Sequence, residues 1–556
     1  MKSEIKTLVN SALPEIASFY SVTLPPGFDY DLELPKSEQH GDLATNLAMK
    51  LSRLVKKNPF EIASEIKKII SEKIKRDPAL AQSIKKMEVE RPGFLNFFLT
   101  QNSLTPLLLE IQKYDAHYGE SHFGASKKVL LEYVSANPTG PLTIAHGRQA
   151  CIGDCLARIL AATGYNISRE YYLNDTGRQI EILGRSTWLR YRELFGTEVD
   201  FPEEGYQGEY IRELAKKIKE EVGDRFKEEQ ETKAIGFFSD FSAREIMKGI
   251  EKDLEDLRVT FDNYFSEKDL RAGGQIEKLL EVLRKKQLVF ESEGALWFKS
   301  TQFGDDKDRV LRKSTGDYTY LAPDIAYHQD KFKRGFEWLI NLWGPDHHGY
   351  IPRVKAAVQA LGGRAESLKV LIVQLTTLCR KGQPVRMSTR AGEFVTLREL
   401  MEEVGVDATR LFFVLRRVES LLDFDLDLAK EKSQDNPVYY LQYAHARISS
   451  ILSYAGVSVP KDVNPSLLKE KEEFDLMKQL EGYPQVLIAA VTGLEPYRVV
   501  DYLRELATTF HKFYTLHRVV TEDEELTRAR LLLVDCVRIV LRNGLQILGV
   551  SQPTKM

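Results

Sequence analysis

Cysteine is nearly missing from this chain: the 556 residues hold only Cys151, Cys155, Cys379 and Cys536, with no Cys-x-x-Cys pair and no zinc-type spacing. Such usage excludes a disulfide scaffold and reads as reduced thiols in the cytoplasm. An excess of charge of one sign is missing too. Lys plus Arg number 78 against 81 Asp plus Glu, a formal net charge of −3, so any nucleic-acid partner has to be argued from where the basic residues lie. Apolar runs such as LRELATTFHKFYTL are broken by charge well before the ~18 residues that a bilayer crossing needs. At the N-terminus, MKSEIKTLVNSALPEIASFY scatters its charges through an amphipathic pattern, so it is read as a helix and not as a signal peptide. Neither internal repeats nor low-complexity tracts occur. What is there, 43% hydrophobic and 29% charged residues, is ordinary globular composition, and at about 150 residues per domain it predicts three to four domains with cores of their own.

Residues 1–118 alternate helix-like stretches (NLAMKLSRLVKKNPFEIASEIKKIISEKI) with short β-type runs (KKMEVERPGFLNFFLT), the mark of an α+β domain that ends near DAHYGESHFGASKK. The stretch 119–434 opens on an apolar run, VLLEYVSANPTGP, that breaks at a Pro/Gly turn and gives way to the helix-period pattern HGRQACIGDCLARILAATG. Further strand candidates at NISREYYL, LVFESEGALWFKS, YTYLAPDIAYH, EWLINLWG and LKVLIVQLT predict a doubly wound, Rossmann-like parallel sheet, with a charge-rich helical insertion near 195–260. Over 435–556 strand patterns vanish. Long amphipathic stretches ended by Gly, LQYAHARISSILSYAG and LTRARLLLVDCVRIVLRNGLQILG, predict an all-α helical bundle. The fold class is multidomain α/β.

Three segments carry residue types suited to chemistry. Ser135–Arg148, SANPTGPLTIAHGR, lies between a predicted strand and a predicted helix, where free backbone N–H groups and the helix dipole favour an anion. Its small residues let the backbone approach a phosphate, and His146 and Arg148 are placed to neutralise charge building up there. A plain Pro/Gly turn closing the strand is the competing reading. GPDHHGY, residues 344–350, follows the apolar run WLINLW, and open α/β sheets bind ligands at such C-terminal strand ends. Successive loop residues such as Asp346, His347 and His348 rarely converge on one ion without partners elsewhere, so no protein-held metal is expected. The basic run Arg386-Met387-Ser388-Thr389-Arg390 is either a solvated loop or a loop that closes on a substrate.

The first segment resembles the HIGH signature of class I aminoacyl-tRNA synthetases in its arginyl-specific setting. Four more are similar to the same family in the same order: Tyr171–Gln179 (YYLNDTGRQ), Gly344–Tyr350, Arg386–Gly392 and Asn436–Arg447 (NPVYYLQYAHAR), with a PTKM ending like the family's Pro-x-x-Met. Five ordered matches are far more specific than a lone HIGH-like tetrapeptide. On them the chain is identified as a member of the arginyl-tRNA synthetase family, bacterial type. The resemblance implies ligation of L-arginine to its cognate tRNA with ATP, through an arginyl-adenylate, releasing AMP and pyrophosphate. ATP would arrive with Mg²⁺, keeping several waters on the ion. It also implies a monomer, with neither DNA nor a membrane as partner. Two departures from the family bear on the chemistry. Thr143 stands where HIGH has its first His, and Thr389 where the KMSKS loop has its second Lys, while Gly140 occupies a place where some arginyl enzymes carry a compensating Lys. Phosphate charge then falls to Arg386, Arg390 or His146, or to Lys381, Lys127 or Lys128. The same erosion makes a non-catalytic RNA-binding paralogue the alternative reading; the cysteinyl relatives are set aside because their metal-binding cysteines are absent.

Carried over residue by residue, the resemblance implies catalytic roles for His146, Arg148, Arg386, Ser388 and Arg390. It implies ATP binding by Pro138, Thr139, Gly140, Thr143, His146, Gly344, Asp346, His347 and Met387. A guanidinium is a planar fork of five donors that keeps its charge, so its pocket should offer carboxylates and a hydroxyl. Tyr320 and Asp324, four apart at the end of a predicted strand, and Glu267 match the family's guanidinium contacts, and Glu132 and Asn137 match the holders of the ammonium and carboxylate groups. Tyr439, Tyr440, Tyr443 and Arg447, with Tyr514 and Met556, match its tRNA-reading surface, where unstacked bases lie on aromatic and Arg planes; for the Tyr stripe, core packing competes. LNFFLTQN resembles the N-terminal module with which the family touches the tRNA D-loop.

Overall fold

The computed structural model describes residues 1–33, 35, 37–385, 395–456 and 463–556. Arg386, Met387, Ser388 and Arg390 therefore lie outside the described residues. The chain divides into two compact units, Met1–Ala116 with Ile448–Gly482 and Thr508–Val540, and His117–Arg447 with Tyr483–Ala507 and Leu541–Met556.

In the first unit an antiparallel sheet runs in the order Leu32–Glu33, Leu43–Thr45, Phe94–Leu99, Ile84–Glu90. The helix Pro59–Arg76 starts where Asn58 accepts a hydrogen bond from the Phe60 N–H and Pro59 needs no partner, and it buries Ile62, Ala63, Ile66 and Ile70 on one stripe. This is the expected α+β arrangement.

The second unit is built on a five-stranded parallel sheet in the order Leu368–Ile372, Trp338–Trp343, Lys128–Glu132, Asn166–Leu173, Asn263–Ser266. Val129, Leu130 and Leu131 are fully buried because the central strand is covered on both faces, which is why it reads as a continuous apolar run. Later strands are added outward on both sides of it. The order therefore reverses beside Lys128–Glu132, the switch point at which such sheets open a crevice beyond their C-terminal ends. The expected insertion is helical, Glu209–Val222 and Glu231–Asp256, and packs on Arg178–Glu193 through Trp188, Tyr191, Ile218, Phe226, Phe238 and Phe241.

Two strand expectations are corrected. YTYLAPDIAYH forms the helix Leu321–Lys333, whose buried Leu321, Ala322, Ile325 and Ala326 repeat at helical spacing, with Pro323 in the first turn, where its missing N–H has no intrahelical partner to lose. LVFESEGALWFKS is the hairpin Val289–Ser292 and Ala295–Phe298 of a separate three-stranded antiparallel sheet. Its two-residue turn places Glu293 at φ 53° and Gly294 at φ 75°, both left-handed, as tight hairpins require. From 435 onward the described residues contain no strand. Their α-helices are Pro437–Ala455, Lys471–Gly493, Tyr497–Leu516 and Glu524–Leu548.

Candidate active site

Beyond Glu132, the last residue of the central strand, the chain leaves the sheet through two consecutive left-handed residues, Val134 at φ 67° and Ser135 at φ 43°. A β-branched residue in that region is strained, and such strain persists only where surrounding contacts impose it. Here they do. The Ser135 hydroxyl accepts the Tyr172 N–H at 3.0 Å, and the buried Tyr171 hydroxyl donates to the Ala136 carbonyl at 2.7 Å. The turn delivers Asn137 into a crevice of about 760 Å³ and leads to Thr143, which starts the helix Ile144–Ala162.

The crevice is lined by Glu132, Asn137, His146, Glu267, Tyr320, Asp324, Gly344, Asp346 and His347 from the expected set, joined by Tyr172, His328, Asn341, Trp343 and Tyr350. Three carboxylates stand at its inner end. Glu132 accepts from the fully buried Lys331 Nζ at 2.5 Å. Glu267, 3% exposed at the start of a short helix, accepts Arg271 Nε at 2.8 Å and the Tyr172 hydroxyl at 2.9 Å. Among the described residues, the Asp324 carboxylate accepts only the Tyr350 hydroxyl, at 2.6 Å. Burial pushes its carboxyl up to about 7, with the Tyr350 hydrogen bond opposing and Glu267 and Glu132 adding to the rise. A carboxylate held in this way gains most from a cation that arrives with the substrate.

Other expected residues take different roles. Arg148 is fully buried, and its guanidinium donates to the carbonyls of Gln374 (2.8 Å), Leu375 (3.3 Å), Arg417 (3.1 Å) and Ser420 (2.9 Å). This corrects the expectation that it neutralises phosphate: both terminal nitrogens are spent on tying two loops to the helix. His146 does reach the crevice, but burial lowers its pKa to about 4, so it is neutral. Its Nδ1 accepts the Thr143 N–H at 3.2 Å, which places the ring proton on Nε2. A hydrogen-bond donor thus replaces the expected cation. Thr139 and Gly140 sit against Tyr210, whose hydroxyl donates to the Thr139 carbonyl at 2.8 Å, and Pro138 lines a smaller neighbouring cavity. Tyr320 precedes a helix rather than ending a strand and is 71% exposed at the crevice rim. Asp346 and His347, 3.4 Å apart, are exposed at the same rim in a 3₁₀ turn after the strand Trp338–Trp343.

His328 and Lys331 escaped the sequence reading. They lie four and seven residues after Asp324, on one face of a helix, a signal invisible while the segment is read as a strand. His328 is neutral as well, its pKa lowered by burial to about 3, and Nδ1 lies 2.8 Å from the Asp324 carbonyl. In Pro437–Ala455, the rings of Tyr439 and Tyr443 stack at 5.9 Å, and the Arg447 guanidinium lies 5.5 Å from the Tyr443 ring. Leu441, Ala444 and Ile448 take the buried face, so the half-buried Tyr stripe is not core. Tyr514, 6.0 Å from the Phe510 ring, is half-buried and Met556 is 56% exposed.

Three family models match in succession: the arginyl tRNA synthetase N-terminal domain over residues 3–99, the class I (R) tRNA synthetase catalytic domain over 107–413 and the DALR anticodon binding domain over 441–556. The arginine–tRNA ligase of Citrifermentans bemidjiense is 48% identical over 531 residues, 95% of each chain. That of Bacillus subtilis is 46% identical over 561 residues, covering all of this chain and 98% of its own. A solved structure described as a putative arginyl-tRNA synthetase from Campylobacter jejuni has a TM-score of 0.77 at 35% identity, covering 82% of this chain and 100% of its own. The Thermus thermophilus arginyl-tRNA synthetase, at 22% identity and a TM-score of 0.78 over all of both chains, shares the fold. Ligases, and not a non-catalytic paralogue, are therefore what the chain matches along its length, and with its three domains in order it belongs to the arginyl-tRNA synthetase family.

Proposed function

We propose that the crevice at the switch point is where this aminoacyl-tRNA ligase joins L-arginine to ATP and then to tRNA. The observation that carries the reading is Asp324, a carboxylate that forms no ion pair among the described residues, in a crevice lined by Ser135–Asn137 of the SANPTG turn and by the Gly344–Tyr350 turn. The guanidinium is held by Asp324 and Glu267 and covered by Tyr320, the α-ammonium faces Glu132, and Asn137 orients the carboxylate. That carboxylate attacks the α-phosphorus of ATP, brought as its Mg²⁺ complex; the bond to the leaving pyrophosphate breaks, giving arginyl-adenylate. The 2′-hydroxyl of the terminal adenosine then attacks the acyl carbon and AMP leaves. No protein nucleophile is required. The chain's contribution is alignment and stabilisation of charge on the transferring phosphates.

In this reading ATP lies along Pro138, Thr139, Gly140, Thr143, Gly344, Asp346, His347 and Met387. His146 acts as a neutral N–H donor. Arg386 and Arg390, beside Ser388, supply the positive charge that the family's loop lysine would bring. Tyr439, Tyr440, Tyr443, Arg447, Tyr514 and Met556 read tRNA from the 435–556 domain, residues 1–118 contact its outer corner, and 119–434 hold the chemistry, in a cytoplasmic monomer. ATP–pyrophosphate exchange, measured with each amino acid and with and without total tRNA, tests it. Arginine-specific exchange that needs tRNA is expected, and exchange with another amino acid, or none, overturns the reading.

A further inference from the structure

Three carboxylates around one small amino acid are too many. Arginine carries a net charge of +1 at neutral pH, whereas Glu132, Glu267 and Asp324 together would present −3, and uncompensated buried charge is costly. The protein supplies two cations of its own. Lys331, without exposed surface, gives its ammonium to Glu132 at 2.5 Å and to the Asn341 side-chain oxygen at 3.3 Å, and sits 4.1 Å from the Tyr327 ring centroid. Arg271, one turn after Glu267, directs Nε at 2.8 Å and Nη2 at 2.5 Å to the same oxygen, Oε1, while Oε2 is left to Tyr172. Neither cation lines the crevice. Both act from behind a carboxylate that does. Among the described residues, the remaining lining charges, Arg178 and Asp346, are of opposite sign and exposed at the rim.

We propose that Arg271 and Lys331 are specificity-determining positioning residues that set the net charge of the amino acid pocket to −1, matching the net +1 of arginine and disfavouring dications of the same shape. The inference rests on the reading of the crevice as the arginine site. Each cation also holds its carboxylate through a single oxygen, Oε2 of Glu132 and Oε1 of Glu267, while Oε2 of Glu267 accepts the Tyr172 hydroxyl. The pocket then discriminates by charge balance as well as by hydrogen-bond geometry. Agmatine, which has the guanidinium and the amine of arginine but lacks the carboxylate, is a dication, and the intact pocket rejects it for want of a second uncompensated negative charge.

Arg271 is the residue to change, since its side chain is 35% exposed and its loss is tolerable to the fold, whereas Lys331 is entirely buried. Dissociation constants for arginine and for agmatine are measured by calorimetry on wild type, Arg271→Met and Arg271→Lys, full-length and with tRNA present. Arg271→Met should lower the agmatine-to-arginine ratio of dissociation constants at least about tenfold, the order expected from one unit charge at an effective dielectric of about 20. Arg271→Lys, which keeps the charge, should hold that ratio within about threefold of wild type even if both affinities weaken. A merely structural role would weaken both ligands together in Arg271→Met and leave the ratio unchanged, and that result overturns the proposal. So does a ratio that shifts equally in Arg271→Lys. Failure of wild type to bind arginine at all would instead sink the assignment of the crevice.

Discussion

Arginine affinity should depend on pH through one group. Asp324 has its carboxyl raised to about 7 in the empty pocket, mainly by burial, and only its ionised form can accept a guanidinium, which itself keeps its proton across the whole range. The apparent dissociation constant is the intrinsic one divided by the fraction in the competent state. With a midpoint near 7, about one-eleventh of the protein is competent at pH 6 and about ten-elevenths at pH 8, so affinity should rise about tenfold between them. The sign follows from the direction of the shift: a raised carboxyl holds its proton at low pH and releases it as pH rises. His146 and His328, at about 4 and about 3, stay neutral over this window and contribute no slope. Calorimetric titration of arginine from pH 6 to pH 8 reads the effect. His347→Asn, which alters an exposed rim imidazole, should keep the slope. Asp324→Asn should abolish it and weaken binding by about 2–5 kcal/mol, the usual cost of removing one member of a buried charge pair. A flat profile in wild type, or a slope that survives in Asp324→Asn, refutes the reasoning.

Tyr350→Phe removes the 2.6 Å hydrogen bond that holds the Asp324 carboxyl down, so the midpoint of the same titration should move to higher pH and the affinity lost at pH 7 should be recovered above pH 8. Arg148→Met should destabilise the fold by about 3–5 kcal/mol, because the fully buried guanidinium that ties four carbonyls of two loops to the helix is lost, while the KM for ATP at low temperature changes less than about threefold; an ATP KM raised tenfold at unchanged stability would restore the phosphate role. Gly549→Ala should cost about 2–4 kcal/mol in denaturation experiments, since Gly549 has φ 66° and an added Cβ would lie 2.2 Å from the Arg410 guanidinium; wild-type stability would show that the buried Arg410 can move aside.

Local patterns carry what the amino-acid sequence determines alone. The run VLLEY, buried on both faces, and the SANPTG turn that ends it depend on neighbours within a few residues, and so the central strand, its exit and the helix that follows were legible. Residue identity also travels well: Glu132, Asn137, His146, Glu267, Tyr320 and Asp324 all reach one crevice. Short apolar runs do not carry that information. YTYLAPDIAYH suits strand or helix until the packing of Leu321, Ile325 and Ala326 decides for helix, and with that decision His328 and Lys331 come to stand beside Asp324. Charge state is the other property that the tertiary structure decided. An arginine in a phosphate-binding signature looks like a phosphate ligand, yet Arg148 is turned to carbonyls more than 200 residues away in sequence. Of three carboxylates that look alike in the sequence, Glu132 and Glu267 are ion-paired with Lys331 and Arg271, whereas Asp324 forms no ion pair among the described residues. Electrostatic environment is a sum over groups brought together by folding, so it can be read only once the fold has placed them.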